Sequence, residues 1–398
     1  EEGGRGDWSS FHKSTRRAEE HVPNMSTSLW HLSLAVLLLS LAPATALPPL
    51  PLPSRSRLSL RGGAGVGVLV VGSLNADVIV PVDRIPLPGE TIMARDTPDA
   101  GRVICGGKGA NQAVASARLG AETRFVCMFG NDGHAKELEE ELKENKVDVS
   151  HCGRTDKPSG QGIVLLGSDG GVSSVVVRGS NGCWEAGNMP DFDKLVQGMG
   201  AVLLQREVPE QVNEAAAAAA CKAGVPVFQD VGGEDRPISD EMLKLCTYIC
   251  PNETELRRLT GLPTSSDDEV IAAARALVSR GAKAVVVTLG AQGSIMVTGD
   301  DVVRQAACPL TSPAVDETGA GDSFRAALAV FLSGGGKVGE ALAFASAAGA
   351  HAVSRMGAVP SLPTLEQCHA MMLLQSSVEH VRGGGPPPGA MSTFPDVE

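Results

Sequence analysis

The sequence has few aromatic residues and fewer basic residues than acidic ones. Three Trp, one Tyr and nine Phe make up 3% of its 398 residues, which is too few for an evident base-stacking platform. Its 34 Lys and Arg against 46 Asp and Glu leave a net charge of −12. A nucleic-acid binder needs a basic face to displace counterions from phosphates. We therefore predict that the protein does not bind nucleic acid.

A membrane-spanning run and a cysteine motif are also missing. The apolar run Leu29–Ala42 has about 14 residues and is too short to cross a bilayer, so we predict no membrane association. The nine cysteines form no C-x-x-C pair, and the spacing of Cys246 and Cys250 is poor for a zinc knuckle. We interpret the cysteines as free thiols in a reducing compartment rather than as a disulfide framework.

Residues 1–64 differ in composition from the rest and are predicted to be a leader and targeting presequence. From Met25 to Ala64 there is no Asp, Glu or Lys, and the apolar run ends in Ala44-Thr45-Ala46, a small-x-small cleavage pattern. A Ser/Arg-rich, acid-free stretch follows at Ser54–Arg61. The two halves resemble the bipartite plastid presequence of algae with secondary plastids, which predicts a plastid protein. A plain secretory signal, or a cytoplasmic or nuclear protein with a misassigned start, is the alternative.

From Val66 onward short β-rich runs alternate with helical patterns, which predicts an α/β fold with a mainly parallel sheet and helices on both faces. The predicted strands are Val68–Val71, Thr123–Phe129, Val202–Gln205, Val225–Gln229, Tyr248–Cys250 and Ala284–Thr288. The predicted helices are Ala110–Leu119, Ala135–Lys146, Val212–Ala223, Asp267–Arg280, Gly321–Leu332 and Val338–Arg355. Segments 77–100 and 160–181 break this rhythm and predict a small β-sheet lid. Residues 65–365 are the predicted domain, and 366–398 a C-terminal tail that is disordered at its end.

The first glycine-rich turn, Gly106-Gly107-Lys108-Gly109-Ala110-Asn111, leads into an Ala-rich helix. Its glycines let a ligand approach the backbone, and the helix start offers N–H groups and the positive end of the helix dipole. It is not a Walker A loop, because Gly109 follows Lys108 where Ser or Thr is required. A plain tight turn is the alternative interpretation.

The second glycine-rich turn, Gly319-Ala320-Gly321-Asp322, opens a predicted helix and favours an anion there. Asp322 would repel a phosphate, but it can accept a hydroxyl proton while the turn holds a transferring phosphoryl group. A plain acid at a helix N-terminus is the alternative. A third polar triplet, Asn75-Ala76-Asp77, follows a buried strand, where open α/β sheets bind ligands, and its side chains suit sugar hydroxyls. An Asx turn is the alternative there.

These turns occur in order with further motifs, namely Gly72–Asp77, Pro88–Thr91, Gly106–Ala113, Pro251–Glu255, Thr288–Gly290 and Asp316–Phe324. The set resembles the PfkB/ribokinase-type carbohydrate kinase family over about residues 66–365. Leu204–Pro209 and Asp230–Gly233 are similar to its plant and algal plastid branch in particular. The resemblance implies a ribokinase-like three-layer fold with a β-sheet lid.

The activity implied by the resemblance is ATP-dependent phosphorylation of the 5-hydroxyl of D-ribose, giving D-ribose 5-phosphate and ADP. One alternative is another PfkB-type kinase acting on a related sugar or nucleoside. An alternative of a different class is a catalytically silent regulator that binds a sugar or nucleotide. The intact Asp322 and Lys108 argue against the silent regulator.

The family's functional residues carry over position by position. Asp322 would be the catalytic base, beside an anion hole formed by Gly319, Ala320 and Gly321. The residues implied to bind the sugar are Asn75, Ala76, Asp77, Gly106, Gly107, Lys108, Gly109, Asn111, Glu207 and Asp322. The residues implied to bind the nucleotide are Asn252, Glu255, Thr288, Leu289, Gly290, Ala291, Gln292, Gly293, Gly321, Asp322 and Ser346.

The resemblance also implies two metal ions and a homodimer formed through the lid. Mg²⁺ would accompany ATP, with Glu255 acting on it through water. K⁺ would be an activating cation, held mostly by backbone carbonyls at Asp316, Thr318, Ala352, Arg355, Gly357 and Ser361. The sequence departs from the family pattern at Glu317, where Thr is usual, at Arg325, where a small or apolar residue is usual, and at Ser346, where a His is frequent. His351, in a normally aliphatic position, is interpreted as a structural histidine.

Overall fold

The computed structural model describes residues 65–98, 100–168, 172–185, 187 and 189–381. The predicted presequence at 1–64 and the end of the predicted tail, 382–398, lie outside these residues. Within the described ranges no helix is both long and apolar enough to cross a membrane.

Strands and helices alternate along the chain, as the sequence pattern predicts. The strands are β1 (Gly67–Val71), β2 (Asn75–Pro81), β3 (Val103–Gly106), β4 (Glu122–Val126), β5 (Met128–Phe129), β6 (Gly153–Arg154), β7 (Gly160–Leu166), β8 (Val172–Val177), β9 (Ala201–Arg206), β10 (Val227–Gly233), β11 (Tyr248–Cys250), β12 (Ala284–Thr288), β13 (Ser294–Val297) and β14 (Val302–Gln305). The helices are α1 (Lys108–Arg118), α2 (Gly133–Glu144), α3 (Phe192–Leu195), α4 (Glu210–Lys222), α5 (Asp240–Leu245), α6 (Glu253–Thr260), α7 (Asp267–Ser279), α8 (Ala320–Ser333), α9 (Val338–Ala352), α10 (Ala358–Ser361) and α11 (Leu365–Val381).

The main sheet has eight strands in the order β14-β13-β12-β11-β10-β9-β1-β4. Within this sheet β4, β1, β9, β10, β11 and β12 pair in parallel, and β13 and β14 add two antiparallel strands at one edge. Parallel strands place all their carboxyl ends at one edge of the sheet, where ligands of open α/β folds bind. The loops after β1, β9, β10, β11 and β12 are therefore near one another.

Helices cover both faces of this sheet. Along β1 the buried side chains alternate: Val68 and Val70 belong to the core on the side of α1, α8 and α9, while Leu69 and Val71 belong to the core on the side of α4, α5 and α7. A strand buried on both faces reads as a continuous apolar run. The predicted three-layer fold is confirmed.

A second sheet of four strands has the order β3-β2-β7-β8, with β2 and β7 parallel and both outer pairs antiparallel. It is the predicted lid sheet. Its strands come from the two predicted segments, except that β3 follows just after residue 100. Because only three residues separate the end of β1 at Val71 from the start of β2 at Asn75, the lid is joined directly to the carboxyl edge of the main sheet.

The structure corrects the sequence prediction in several places. The predicted strand Thr123–Phe129 is divided at Cys127, and its second part pairs with β6 rather than with the main sheet. Strands β13 and β14 and helices α3, α5, α6, α10 and α11 were not predicted. Helix α11 packs on α9 and buries Cys368 and Met371, so the first part of the predicted tail belongs to the folded body.

Candidate active site

A cavity of about 870 Å³ lies where the lid sheet, the carboxyl edge of the main sheet and the starts of α1 and α8 meet. Its lining includes Gly107 and Lys108 at the start of α1, the turn Glu317–Asp322 at the start of α8, and Val164 and Val176 of the lid. The three polar turns singled out in the sequence all contribute to it. Two helix N-termini at one cavity favour a ligand that carries negative charge.

The turn before α8 depends on the conformation of one glycine. Gly319 is the N-cap residue of α8 and has φ +80°, a left-handed conformation that costs a residue with a side chain about 1–2 kcal/mol. Gly319, Ala320 and Gly321 line the cavity, as the sequence predicts. The first N–H groups of a helix have no partner within it, so this turn can bind an anionic oxygen.

Asp322 lies in the first turn of α8, and both of its carboxylate oxygens are held. The side-chain amide of Asn111 donates to one oxygen at 2.9 Å, and that of Gln112 donates to the other at 3.0 Å. Asp322 is buried yet lines the cavity. Neutral donors fix its orientation without neutralising it, which suits a carboxylate that accepts a proton.

Gln112 connects Asp322 to a second carboxylate, that of Asp230. The Gln112 amide donates to Asp230 at 2.9 Å and its carbonyl oxygen accepts from Gln205 at 2.7 Å. Both Gln112 and Gln205 are completely buried. Sequence reasoning gave neither Gln112 nor Asp230 a role, although Asp230 lies on β10 near the carboxyl edge, a position that points to a ligand site.

Most residues predicted to hold the sugar lie on one side of the cavity. Its wall includes Asn75, Asp77, Gly107, Lys108, Asn111 and Glu207. Asn75 accepts from the side chain of Asn181 at 2.7 Å, and Glu207 accepts from the Ser73 hydroxyl and from the Lys108 N–H at 3.0 Å. Burial raises the pKa of Glu207.

Three predicted sugar-binding residues lie behind this wall instead. Ala76 is buried, and Gly109 packs against the backbone of Ser73. A Cβ on Gly106, or on Gly162 of the neighbouring strand, would overlap the carboxylate of Asp77. These positions are small because the residues that face the cavity need the space.

Asp77 is half-buried among like charges. Burial, and then the charge of Glu207, raise the pKa of Asp77 to about 7, although the N–H groups of Gly162 and Gly107 act in the opposite direction. A carboxyl that titrates near neutrality can accept hydroxyl protons in hydrogen bonds when it is ionised and can also donate when it is protonated. Such a group suits a substrate with several hydroxyls.

Replacing Asp77 with Asn is expected to raise the unfolding temperature more at pH 8 than at pH 5. The ordinary pKa of 3.8 applies in the unfolded chain and about 7 in the folded protein, so the stability that this group contributes at low pH is lost as the pH rises through 7. From pH 5 to pH 8 that loss is roughly 3 kcal/mol, since each pH unit between 5 and 7 contributes about 1.4 kcal/mol, and the variant avoids it. Thermal unfolding of both proteins at both pH values measures the effect. A difference independent of pH would contradict it.

Lys108 and Arg325 bring positive charge to the same cavity. The Lys108 ammonium lies 3.6 Å from Asp230, and the Arg325 guanidinium 3.4 Å from the same carboxylate oxygen. Burial alone would lower the pKa of both groups, but the nearby carboxylates, Asp230 first, outweigh it and keep the two pKa values above their ordinary ranges. Both side chains are therefore charged.

Most residues predicted to bind the nucleotide line the other end of the cavity. These are Asn252, Glu255, Thr288, Gly290, Ala291, Gly293 and Ser346, whereas Leu289 and Gln292 do not line it. Asn252 and Glu255 form a capping box at the start of α6, with reciprocal hydrogen bonds of 2.8 Å. Ser346 accepts from the N–H of Cys308 at 2.8 Å and so fixes the cavity wall at 307–310.

The predicted cation loop lies directly behind the turn that precedes α8. Asp316 accepts from the N–H and hydroxyl of Thr318 at 2.9 and 2.6 Å and from the N–H of Gly357 at 2.7 Å. The Ser361 hydroxyl contacts the Thr318 carbonyl at 3.5 Å. Thr318 lines the cavity, but Asp316, Ala352, Arg355, Gly357 and Ser361 do not. Across the described ranges no three His, Cys, Asp or Glu side chains cluster as a metal site, so an ion here would depend on carbonyls.

Two of the residues that depart from the family pattern, His351 and Glu317, also lie near this loop. The Arg355 guanidinium contacts His351 at 2.7 Å, and burial, followed by that charge, lowers the pKa of His351 to about 4. His351 is neutral at physiological pH and fills a structural position. Glu317 lines the cavity beside Thr318 and is exposed.

The fold and the cavity define an α/β phosphotransferase in which a buried carboxylate lies within a glycine-rich turn at a helix N-terminus, beneath a β-sheet lid. Residues 67–365 match the family model described as pfkB family carbohydrate kinase. The chain belongs to that family of carbohydrate kinases, as the sequence motifs predict.

The chain matches most of the length of several relatives within the family. The chain is 41% identical to a ribokinase of Arabidopsis thaliana over 317 residues, covering 78% of this chain and 82% of the relative. It is 31% identical to a ribokinase of Haemophilus influenzae, covering 75% of this chain and 95% of the relative. The solved structure of Arabidopsis thaliana ribokinase complexed with ribose and ATP has a TM-score of 0.71 at 40% identity, covering 77% of this chain and 99% of that one.

Proposed function

We propose that the chain is an ATP-dependent ribokinase, which transfers the γ-phosphoryl group of ATP to the 5-hydroxyl of D-ribose and releases D-ribose 5-phosphate and ADP. The observation that carries the proposal is the position of Asp322. Its carboxylate is held by Asn111 and Gln112 within the turn Gly319–Asp322, between the sugar side and the nucleotide side of one cavity. The likeness to a ribokinase solved with ribose and ATP supports the choice of substrates.

In this reaction Asp322 takes the proton of the 5-hydroxyl as the 5-oxygen bonds to the γ-phosphorus. The N–H groups of the turn before α8 stabilise the charge on the transferring phosphoryl oxygens. Asn75, Asp77 and Glu207 orient the sugar through its hydroxyls. Closure of the lid excludes water, which would otherwise accept the phosphoryl group.

The test is ADP release by purified residues 65–398 with D-ribose, 2-deoxyribose, fructose and adenosine. Ribose is expected to give the highest kcat/KM. Faster turnover of another compound would establish a different kinase of the same family. Binding of ribose and ATP without any ADP release would establish the silent regulator instead.

Mg²⁺ fits the nucleotide end of the cavity. Glu255 is buried, lines the cavity and forms the capping box with Asn252. Mg²⁺ keeps several of its waters when bound, so Glu255 would hold it through water. The ion would neutralise charge on the phosphates of ATP.

K⁺ is proposed as the activating cation of the loop behind the anion-binding turn. One carboxylate, Asp316, with carbonyls from Ala352 to Ser361, suits a large, weakly hydrated monovalent ion better than Mg²⁺, which requires near-octahedral geometry. The ion would act by ordering the turn Gly319–Gly321 and would not contact the sugar.

Turnover is expected to be higher in KCl than in NaCl or Tris at equal ionic strength, after extensive dialysis of the protein. The expected change is in kcat, with the KM for ribose nearly constant, because the ion orders the anion-binding turn. Glu317 adds a charge beside this loop and could tighten cation binding, so elemental analysis must show that K⁺ is absent. Equal rates in the three salts would then mean that the loop is only structural.

A homodimer through the lid is also proposed. Gly162, Val164, Ser174 and Val176 line the cavity, so the alternating residues occupy the opposite face of the lid. That face exposes 40% of Ile163, 62% of Val175 and 48% of Val177. An apolar outer face of this kind suits a second copy of the same sheet, and light scattering on the purified chain tests it.

Delivery to the plastid is proposed from the sequence of residues 1–64 alone.

A further inference from the structure

The Arg325 guanidinium lies in the wall of the cavity, one turn into α8. Arg325 is only 4% exposed and lines the cavity together with Gly321 and Asp322. Side chains on a helix lean toward its N-terminus, so Arg325 covers the turn that precedes it. A Cβ on Gly321 would overlap the Nη1 atom of this guanidinium. The positive charge is therefore in contact with the anion-binding turn itself.

Three groups hold the guanidinium in this position. Its Nε and Nη2 atoms donate to the carbonyl of Cys250 at 3.1 and 2.8 Å, and Nη2 also lies 3.5 Å from Glu255. Nη1, which is nearest Gly321, is paired with Asp230 at 3.4 Å. The Nε and Nη2 atoms of the guanidinium are thus fixed by hydrogen bonds to Cys250, while Nη1, which faces the turn, has only a long ionic contact.

The same Asp230 oxygen is close to two cations, since Lys108 also approaches it, at 3.6 Å. Charge-assisted hydrogen bonds are normally shorter, about 2.7–2.9 Å. A phosphoryl oxygen that enters between the cations can therefore improve on these contacts. The cavity also holds Asp322, Glu207 and Glu255, so a highly charged nucleotide needs positive charge close to the point of transfer.

We propose that Arg325 is a catalytic residue that donates through Nη1 to the phosphoryl group as it moves from ATP to the sugar. The inference rests on the proposed kinase function and deepens it. As the 5-oxygen bonds to the γ-phosphorus, the bond to the β–γ bridging oxygen breaks, its electron pair leaves with ADP, and the hydroxyl proton goes to Asp322. Arg325 gains and loses no proton and stabilises the negative charge on the transferring oxygens.

A purely structural role makes a different prediction. If Arg325 only neutralised Asp230, its removal would be harmful because it leaves that buried carboxylate with one neighbouring cation, Lys108, instead of two. Removing the charge of Asp230 as well would then restore turnover. If Arg325 contacts the phosphoryl group, removing Asp230 cannot replace it.

The experiment compares Arg325→Met, Asp230→Asn and the double variant with the wild-type protein. Arg280→Met is the matched control, because Arg280 also pairs with a carboxylate, Asp240, and donates to a carbonyl, that of Ile238, but does not line the cavity. The kcat of Arg325→Met is expected to fall about 10²–10³-fold. The double variant should remain at least tenfold below Asp230→Asn, and Arg280→Met should keep wild-type turnover.

Binding measurements separate contact with the transferring group from general damage. The Kd for ADP is expected to change less than threefold in Arg325→Met. The Kd for ADP with aluminium fluoride and ribose, a mimic of the planar phosphoryl group, should rise by about the factor lost in kcat. If Arg325→Met does not fold, Arg325→Lys serves in both assays and should lose at least tenfold, since one ammonium cannot reach both Cys250 and the phosphoryl group.

Recovery of turnover in the double variant, or an unchanged affinity for the aluminium fluoride complex, would overturn the role of Arg325. A wild-type protein that phosphorylates no sugar would instead overturn the proposed kinase function. The two failures are therefore distinguishable.

Discussion

Substituting Asp322 with Asn is expected to lower kcat by about 10²–10⁴-fold, the usual contribution of a positioned general base. The Asn side chain has nearly the same shape and can keep one of the two amide contacts to Asn111 and Gln112. What it loses is the ability to accept the hydroxyl proton. The KM for ribose and the Kd for ATP should therefore change little, and steady-state kinetics with calorimetry measure both.

The control for this variant is Asp268→Asn, which removes an acidic residue from the first turn of another helix, α7, away from the cavity. It tests whether loss of a helix-terminal charge is enough to slow the reaction. Asp268→Asn should retain wild-type turnover. If Asp322→Asn kept more than roughly half of the wild-type kcat, Asp322 would have no part in proton transfer.

Substituting Gly319 with Ala is expected to reduce kcat by about 100-fold or more, through the geometry of the anion-binding turn. The backbone of Gly319 has φ +80°, and a methyl group there would also approach the Cα of Ala358 to 3.2 Å. The turn can relieve this only by moving, which redirects the N–H groups of Ala320 and Gly321. Affinity for ribose should be preserved, because the sugar contacts lie on the other side of the cavity.

Gly335→Ala is a matched control, because Gly335 has φ +79° and no neighbouring atom within 4 Å of the new methyl group. It carries the same backbone strain far from the cavity, so both variants should lose a similar 1–2 kcal/mol of stability. Only Gly319→Ala should lose turnover. Equal turnover in the two would show that the precise shape of the turn is unimportant.

The sequence predicts the main sheet and the two helix-initiating turns well because these features are local. Continuous apolar runs such as Val68–Val71 specify buried parallel strands, and glycines next to Lys108 and Asp322 specify turns that open helices. The strands β13 and β14 follow β12 as antiparallel neighbours with no α-helix between them, so the alternation of strands and helices that identified the others does not extend to them. Helix α11 lacks a clear apolar stripe, and its burial depends on packing against α9.

Residues of the candidate site were predicted where a recognised motif gives the residue a role, and they were missed where the contact forms only between segments. Asn111 and Asp322 each belong to a recognisable turn. Asp230, Gln112 and Arg325 form their cluster only after β10, α1 and α8 have packed together, and no spacing in the sequence brings them near one another. Arg325 was notable only as a departure from the family pattern. Its charge, unusual within a buried helix, is the signal that could have placed it in the site.

The tight fit of Asp77 between Gly106 and Gly162 determines how the sugar pocket could be redesigned. A library that varies position 77 alone has little room for side chains larger than Asp between the two glycines, since the Asp77 carboxylate already occupies the space that a Cβ on either of them would need. Varying either glycine alone would collide with the carboxylate. These three positions, on three neighbouring strands, therefore have to be randomised as one combinatorial unit. Asn75 is constrained in the same way, because a Cβ on Gly160 would overlap its Oδ1 atom and its partner Asn181 is buried and also bonded to Leu74.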